Sequence, residues 1–300
     1  MLRPYQQLSL DGLRKSLSNG SRKPILVAPT GSGKTHIACA VITGALQKGK
    51  RVLFLAPRRE LIYQARDRLL DHGIWAGLIM AGEPRSPYEQ VQIASFDTLH
   101  ARGMRGKSMM MPDADVVIVD ECHLAIADTR QKIIEHYADK VVIGLTATPA
   151  RGDGRGLGEV FDTLVTTISM RELVEQGHLV PARYFAPSKP DLSKLKTSKG
   201  DYVVSELEKR VDQPKLVGDV IDNWMRICPD RQTVVFCVTR SHARHVCDAF
   251  LAAGVRAGYL DGDTPLDERK QILADIASGA IQVLVNVFVA TFGWDCPTIS

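Results

Sequence analysis

Residues Ala28–Thr35 read APTGSGKT, and 116–123 read VVIVDECH. In the first segment Thr30, Gly31, Ser32 and Gly33 are small enough for backbone N–H groups to close around phosphate oxygens. Lys34 and Thr35 then open a helix, whose first N–H groups favour an anion. Lys34 suits the β- and γ-phosphates of a nucleotide, and the Thr35 hydroxyl suits Mg²⁺. Ala28 stands where the strict pattern has glycine, but PILVAPTGSGKT keeps the order strand, loop, helix. The second segment ends an apolar strand with two adjacent carboxylates. Two charges at a buried strand end are costly unless used or exposed at the sheet's edge. There Asp120 can hold Mg²⁺, and Glu121 can orient and deprotonate a water for attack on the γ-phosphate. The pair points to nucleoside triphosphate hydrolysis, and Lys34, Asp120 and Glu121 carry it.

The elements that must position these residues follow from pattern. Apolar, β-branched runs recur at Ile25–Ala28, Val52–Ala56, Val91–Ala94, Val116–Val119 and Val141–Leu145. Amphipathic stretches such as Lys34–Gln47 and Arg59–Leu70 separate several of them. Strands alternating with helices predict an α/β fold, a parallel sheet covered on both faces. A second series follows, with strands at Thr233–Val238, Arg256–Leu260 and Ile281–Val285 and helices at Ser241–Ala253 and Leu266–Ser278. Two α/β units are expected, 1–168 and 169–300. The Pro-, Ser- and Lys-rich segment 187–200 serves as a loop or linker within the second. Arg151–Gly158 reads as a surface turn.

Bulk composition narrows the class. The 300 residues are 45% hydrophobic and 24% charged, with a net charge of +4, as in an ordinary globular chain of two domains. That charge permits a polyanionic partner without demanding one. The 6 cysteines, at 39, 122, 228, 237, 247 and 296, form no CxxC pair, so a zinc site or disulfide framework is not expected and a reducing cytoplasm is. His242, His245 and Cys247 lack a fourth ligand and read as surface or core residues. The opening segment MLRPYQQLSL lacks the long apolar core expected of a signal peptide. The chain's most apolar stretch, Ile281–Ala290, is too short to cross a membrane.

Set in order, the remaining segments resemble a known family. LRPYQ at 2–6, APTGSGKT, APRREL at 56–61, ASFDTL at 94–99, DECH at 120–123 and TATP at 146–149 resemble the first motor domain of superfamily 2 helicases and translocases. VVFCVTRSHA at 234–243, YLDGDT at 259–264 and VNVFVATFGWDCP at 285–297 resemble the second. The bacterial RadD-like DNA-repair group is the nearest in flavour, with restriction-enzyme motors as neighbours. The resemblance implies two tandem RecA-like domains, the second incomplete, with ATP and Mg²⁺ between them and nucleic acid, DNA by preference, lying across both. Single-stranded-DNA-binding or nuclease partners go with it.

It also implies residue roles. Arg3 and Gln6 face the nucleotide, the Gln6 amide reading the adenine edge. His123, Thr146 and Thr148 couple ATP state to the nucleic-acid side. Arg58, Arg59, Ser95, Thr98, Thr239, Arg240 and Thr291 contact the sugar–phosphate backbone, while Gly293 and Asp295 touch the nucleotide. Backbone contacts of this kind predict weak sequence preference and strong salt dependence. Arg102, Arg105 and Lys107 are either a solvated basic loop or phosphate contacts. Phe292 and Trp294 either stack on a base or pack in the core. The Q-x-x-G-R-x-x-R segment that supplies arginines to the γ-phosphate does not occur, which leads to an expectation of a truncated chain that binds ATP and hydrolyses it poorly. The alternatives are a regulatory module that binds ATP and nucleic acid without productive hydrolysis, the motor subunit of a restriction-type enzyme, and a small-molecule phosphotransferase with a phosphate loop.

Overall fold

Parallel strands dominate the computed structural model, which describes residues 2–106, 108–124, 128–149, 156–185, 190–193, 195–198, 201–289 and 299. Lys107, Thr291, Phe292, Gly293, Trp294 and Asp295, and most of the turn at 151–158, lie outside the described residues.

In the first unit, β1 (Pro24–Val27), β2 (Val52–Ala56), β3 (Ala76–Ile79), β4 (Val91–Ser95), β5 (Val116–Val119), β6 (Val141–Thr146) and β7 (Thr163–Thr166) form a sheet of order β3-β4-β2-β5-β6-β1-β7. Every pairing in it is parallel. Helices α1 (Pro4–Ser18), α2 (Lys34–Leu46), α3 (Arg59–Asp71), α4 (Phe96–Thr98), α5 (Asp128–His136) and α6 (Met170–Glu175) accompany it, with a π-helix at Leu99–Arg105 and a 3₁₀ turn at Cys122–Leu124. Successive strand residues enter opposite faces: Leu26 and Phe54 join Ile37, Ile42 and Ile62 on one side. Ile25, Leu53 and Leu55 join Phe96, Ile133 and Phe161 on the other. The continuous apolar runs thus arise from burial on both faces.

The sequence pattern omits β3 and β7, both edge strands. Gly77 dilutes the first (AGLI) and threonines the second (TLVT), so neither presents a long β-branched run. Gly77 also has a packing reason, since a Cβ there would lie 2.3 Å from the Ser86 carbonyl oxygen.

The second unit holds a two-stranded antiparallel pair, β8 (Thr197–Ser198) and β9 (Asp201–Tyr202). Then come α7 (Val204–Val211), α8 (Pro214–Ile227), β10 (Thr233–Phe236), α9 (Arg240–Ala252), β11 (Ala257–Leu260), α10 (Leu266–Ser278) and β12 (Val283–Asn286). Its parallel sheet has the order β10-β12-β11. Trp224 meets Phe250 edge-on at 5.4 Å in its core and donates from Nε1 to the Thr233 hydroxyl at 2.8 Å.

The division between units falls at 181/182, later than the expected 168/169. Helix α6 and the turn after it fold with the first unit: Leu173 is fully buried, and the His178 ring lies 5.5 Å from that of Tyr5. Among the described residues, no helix is long and apolar enough to cross a membrane.

Candidate active site

Strands β5, β6 and β1 are neighbours, so the residues that follow each of them meet along one carboxyl edge of the sheet. That edge is where open α/β sheets bind ligands. The register sets Val27 opposite Thr146, and the Ala28 N–H donates to the Thr146 carbonyl at 2.9 Å. The Asp120 N–H donates to the Leu55 carbonyl at 2.9 Å, so the first acidic residue is still anchored to β2.

The phosphate loop is held in an open curve by its glycines. Gly31 and Gly33 both have φ of +79°, a left-handed conformation that costs other residues energy. Gly33 caps α2, and a Cβ there would meet the Gln6 Nε2 at 2.5 Å. From outside, α1 fixes the loop. The Tyr5 hydroxyl (3.0 Å) and the Gln6 amide (2.9 Å) both donate to the Ser32 carbonyl. Gln6 Oε1 accepts from the Arg3 N–H at 2.9 Å. Gln6 therefore keeps one amide hydrogen and one lone pair for another partner. Tyr5, whose clamp on the loop the sequence did not signal, is buried. Lys34 Nζ donates to the Ala28 and Pro29 carbonyls at 3.3 and 3.5 Å, placing its ammonium across the loop's mouth.

The acidic pair is built differently at its two positions. Asp120 is only 8% exposed, and burial first, then the Glu121 charge, pushes its carboxyl up to about 6. Glu121 takes a left-handed φ of +46° and donates its N–H to Asp120 Oδ1 at 3.0 Å. A non-glycine residue is held in that conformation only at a cost that its surroundings offset. His123 Nδ1 lies 3.3 Å from Glu121 Oε2 and 2.9 Å from the Thr146 hydroxyl. The Thr146 hydroxyl donates to the Thr148 carbonyl at 3.1 Å and accepts from the Thr148 N–H at 3.0 Å. With its one hydrogen so used, the Thr146 oxygen accepts from His123, which assigns the proton to Nδ1. Burial depresses the His123 pKa against the opposing pull of Glu121. The result is a polar chain from Glu121 through His123 and Thr146 to Thr148. Cys122 beside it is fully buried and packs in the core, its thiol pushed up by burial.

The residues expected to touch nucleic acid sit further along the same edge, after β2 and β4. Arg58 caps α3. Arg59 donates to the Ala81 carbonyl at 2.7 Å and to the Tyr63 hydroxyl at 3.3 Å, while Tyr63 donates to Glu83 at 2.5 Å. Its guanidinium thus ties α3 to the loop after β3. Ser95 caps α4 by accepting the Thr98 N–H, and Thr98 is buried. Arg102 and Arg105 are exposed on the π-helix.

In the second unit, Thr239 caps α9 by accepting from the His242 N–H at 3.2 Å and donates its own hydroxyl hydrogen to Glu208. Arg240 pairs with Asp263 at 2.5 Å and Asp261 at 3.3 Å. These acids belong to the YLDGDT segment, which sheet order brings to the same edge. His245 pairs with Asp212 at 2.8 Å, and no metal-holding group of His, Cys, Asp or Glu occurs among the described residues.

Residues 1–151 match the family described as type III restriction enzyme, res subunit, and residues 216–300 match the helicase conserved C-terminal domain. A 51.5 kDa protein of a Lactococcus phage (isolate 7-9) is 29% identical over 273 residues, 91% of this chain and 56% of that protein. The irc3 protein of Schizosaccharomyces pombe, whose name assigns it as a mitochondrial ATP-dependent helicase, is 29% identical over 312 residues, 99% of this chain and 51% of that protein. The chain spans about half the length of these curated relatives. The solved structure of Saccharomyces cerevisiae Dbp5 bound to RNA and ADP BeF3 shares the fold, with a TM-score of 0.66 at 17% identity, covering 100% of this chain and 77% of that one. The chain therefore belongs to the superfamily 2 helicases, through the type III restriction enzyme, res subunit family that its first unit matches.

Proposed function

We propose that this chain is the ATP-driven motor of a nucleic-acid helicase or translocase that works on DNA. The observation that carries the reading is the adjacency of β5, β6 and β1, which sets the acidic pair, the TATP turn and the phosphate loop side by side. Lys34 neutralises the β- and γ-phosphates once it leaves the Ala28 and Pro29 carbonyls. Gln6 offers its remaining hydrogen and lone pair to an adenine edge, which favours ATP over GTP. Arg3 stands beside it. Glu121 orients water and takes its proton. His123 reports the state of Glu121 to Thr146 and Thr148.

The donor set fits Mg²⁺: a buried carboxyl at Asp120, raised by its surroundings, gains from a cation, and Thr35 opens the helix beside it. Held there, Mg²⁺ would draw charge from the phosphate oxygens during transfer.

Nucleic acid is gripped through Arg58, Ser95 and the N–H groups opening α3 and α4, and in the second unit through Thr239 and Thr291. Arg59 and Thr98 in the first unit, and Arg240 in the second, each act by shaping the strand ends of their own sheet, since their side chains are buried or engaged in the protein. Gly293 and Asp295 belong to the nucleotide side. The RadD-like reading, DNA repair in the cytoplasm with single-stranded-DNA-binding or nuclease partners, rests on the motif resemblance. The type III restriction family match supports a restriction-type motor as the second reading.

ATPase assays of the complete gene product with single-stranded DNA, duplex DNA and RNA at matched salt test this. DNA stimulation that exceeds RNA stimulation is expected. Stimulation by RNA alone would overturn the DNA assignment, and ATP binding without turnover on any strand would leave the regulatory module standing.

A further inference from the structure

His36 is exposed on the first turn of α2, two residues after Lys34. Side chains in a helix lean toward its N-terminus, and this ring does so. Its Cδ2 lies 3.5 Å from the point where a Cβ on Gly33 would sit, and the Gln6 Nε2 lies 2.5 Å from that same point. Ring and amide therefore converge over Gly33, in space that only glycine leaves open. Behind the imidazole, the His72 ring meets it edge-on, with centroids 5.9 Å apart and planes at 82°. His36 is thus propped from the α3 side while remaining open to solvent.

A nucleotide whose terminal phosphates rest on Lys34 and whose base edge reaches Gln6 must run its ribose and base past the first turn of α2. His36 is exposed on that turn. We infer that His36 is a base-contacting residue of the nucleotide site, its imidazole packing against the purine that Gln6 reads at the edge. The inference rests on the proposed ATP reading and deepens it. It assigns specificity to two side chains, an amide for hydrogen bonds and a ring for stacking, where the sequence motif supplies only the amide. Flat rings of this size give sequence-tolerant stacking of a kind general to aromatic–base contacts.

Equilibrium binding of ATP and of inorganic tripolyphosphate to the wild-type protein and to His36→Ala, His36→Phe and Lys34→Ala tests it. Loss of one stacking contact corresponds to about a tenfold change in affinity. His36→Ala should therefore weaken ATP by about tenfold and leave tripolyphosphate unchanged, and His36→Phe should restore ATP. Equal weakening of ATP and tripolyphosphate would overturn the assignment, because the ring would then act on the phosphate loop. So would unchanged ATP affinity in His36→Ala while Lys34→Ala loses it. Retention of ATP binding in Lys34→Ala would instead bring down the phosphate-loop reading, and this inference with it.

Discussion

At the scale of single residues, Asp120 shows a buried carboxyl kept at a cost. Its carboxyl is raised to about 6 by burial and by Glu121, above the unfolded value of about 3.9. The folded chain therefore holds a proton between those values that the unfolded chain has given up. Stability rises as pH falls from about 6 toward 4, and at pH 7 the buried charge costs roughly 2–3 kcal/mol. Asp120→Asn should accordingly raise the thermal midpoint of the metal-free protein at pH 7 while abolishing Mg²⁺-dependent ATP hydrolysis. A lower midpoint in the variant, measured by calorimetry without divalent ions, would contradict this. At this scale the local positions were legible in sequence, since Lys34 opens a helix and Asp120 and Glu121 follow an apolar strand. The double clamp of Tyr5 and Gln6 on the Ser32 carbonyl was not, because it joins positions 26 and 27 residues apart in the chain. No local pattern records such a contact.

At the scale of elements, sheet order does the assembling. Strands β5, β6 and β1 come from separate parts of the sequence, yet their carboxyl ends are adjacent. The runs that form them were readable because burial on both faces demands continuous apolar residues. Edge strands β3 and β7 were not, because four-residue edges tolerate Gly and Thr. Arg240 shows the same limit in the second unit. A basic residue after a strand reads as a phosphate contact, but β11 carries Asp261 and Asp263 to the same edge and they engage it.

Asp261 also holds the loop itself, accepting from the Tyr259 hydroxyl at 2.7 Å, the Asp263 N–H at 2.9 Å and the Thr264 N–H at 3.0 Å. The Tyr259 hydrogen bond leads the effects that hold its carboxyl below the usual range. A depressed folded value means the stabilisation is present above about pH 4 and is lost as pH falls further, through the folded value. Asp261→Asn should cost about 2 kcal/mol near pH 7, as expected for hydrogen bonds to a charged group. Wild type and variant should converge in strong acid. Urea titrations monitored by tryptophan fluorescence would show this, and a pH-independent difference would rule it out.

For the whole molecule, two parallel-sheet units and a net charge of +4 suit a protein that follows a polyanion through local contacts. Three to four phosphate contacts on a single strand would lower affinity by about 20- to 50-fold between roughly 50 and 200 mM salt. Fluorescence anisotropy with a labelled oligonucleotide reads this directly, and an affinity independent of salt would remove the backbone-contact account.

The central claim is that the residues after β1, β5 and β6 form one hydrolytic site answering to nucleic acid. Its most direct test is ATP hydrolysis by the complete gene product, with and without single-stranded DNA, for wild type, Glu121→Gln and Lys34→Ala. DNA should stimulate wild-type turnover at least about tenfold, of the order that one positioned catalytic group supplies. Both variants should fall to background, with Glu121→Gln still binding ATP. Wild-type rates in Glu121→Gln, or turnover indifferent to DNA and RNA alike, would contradict the account.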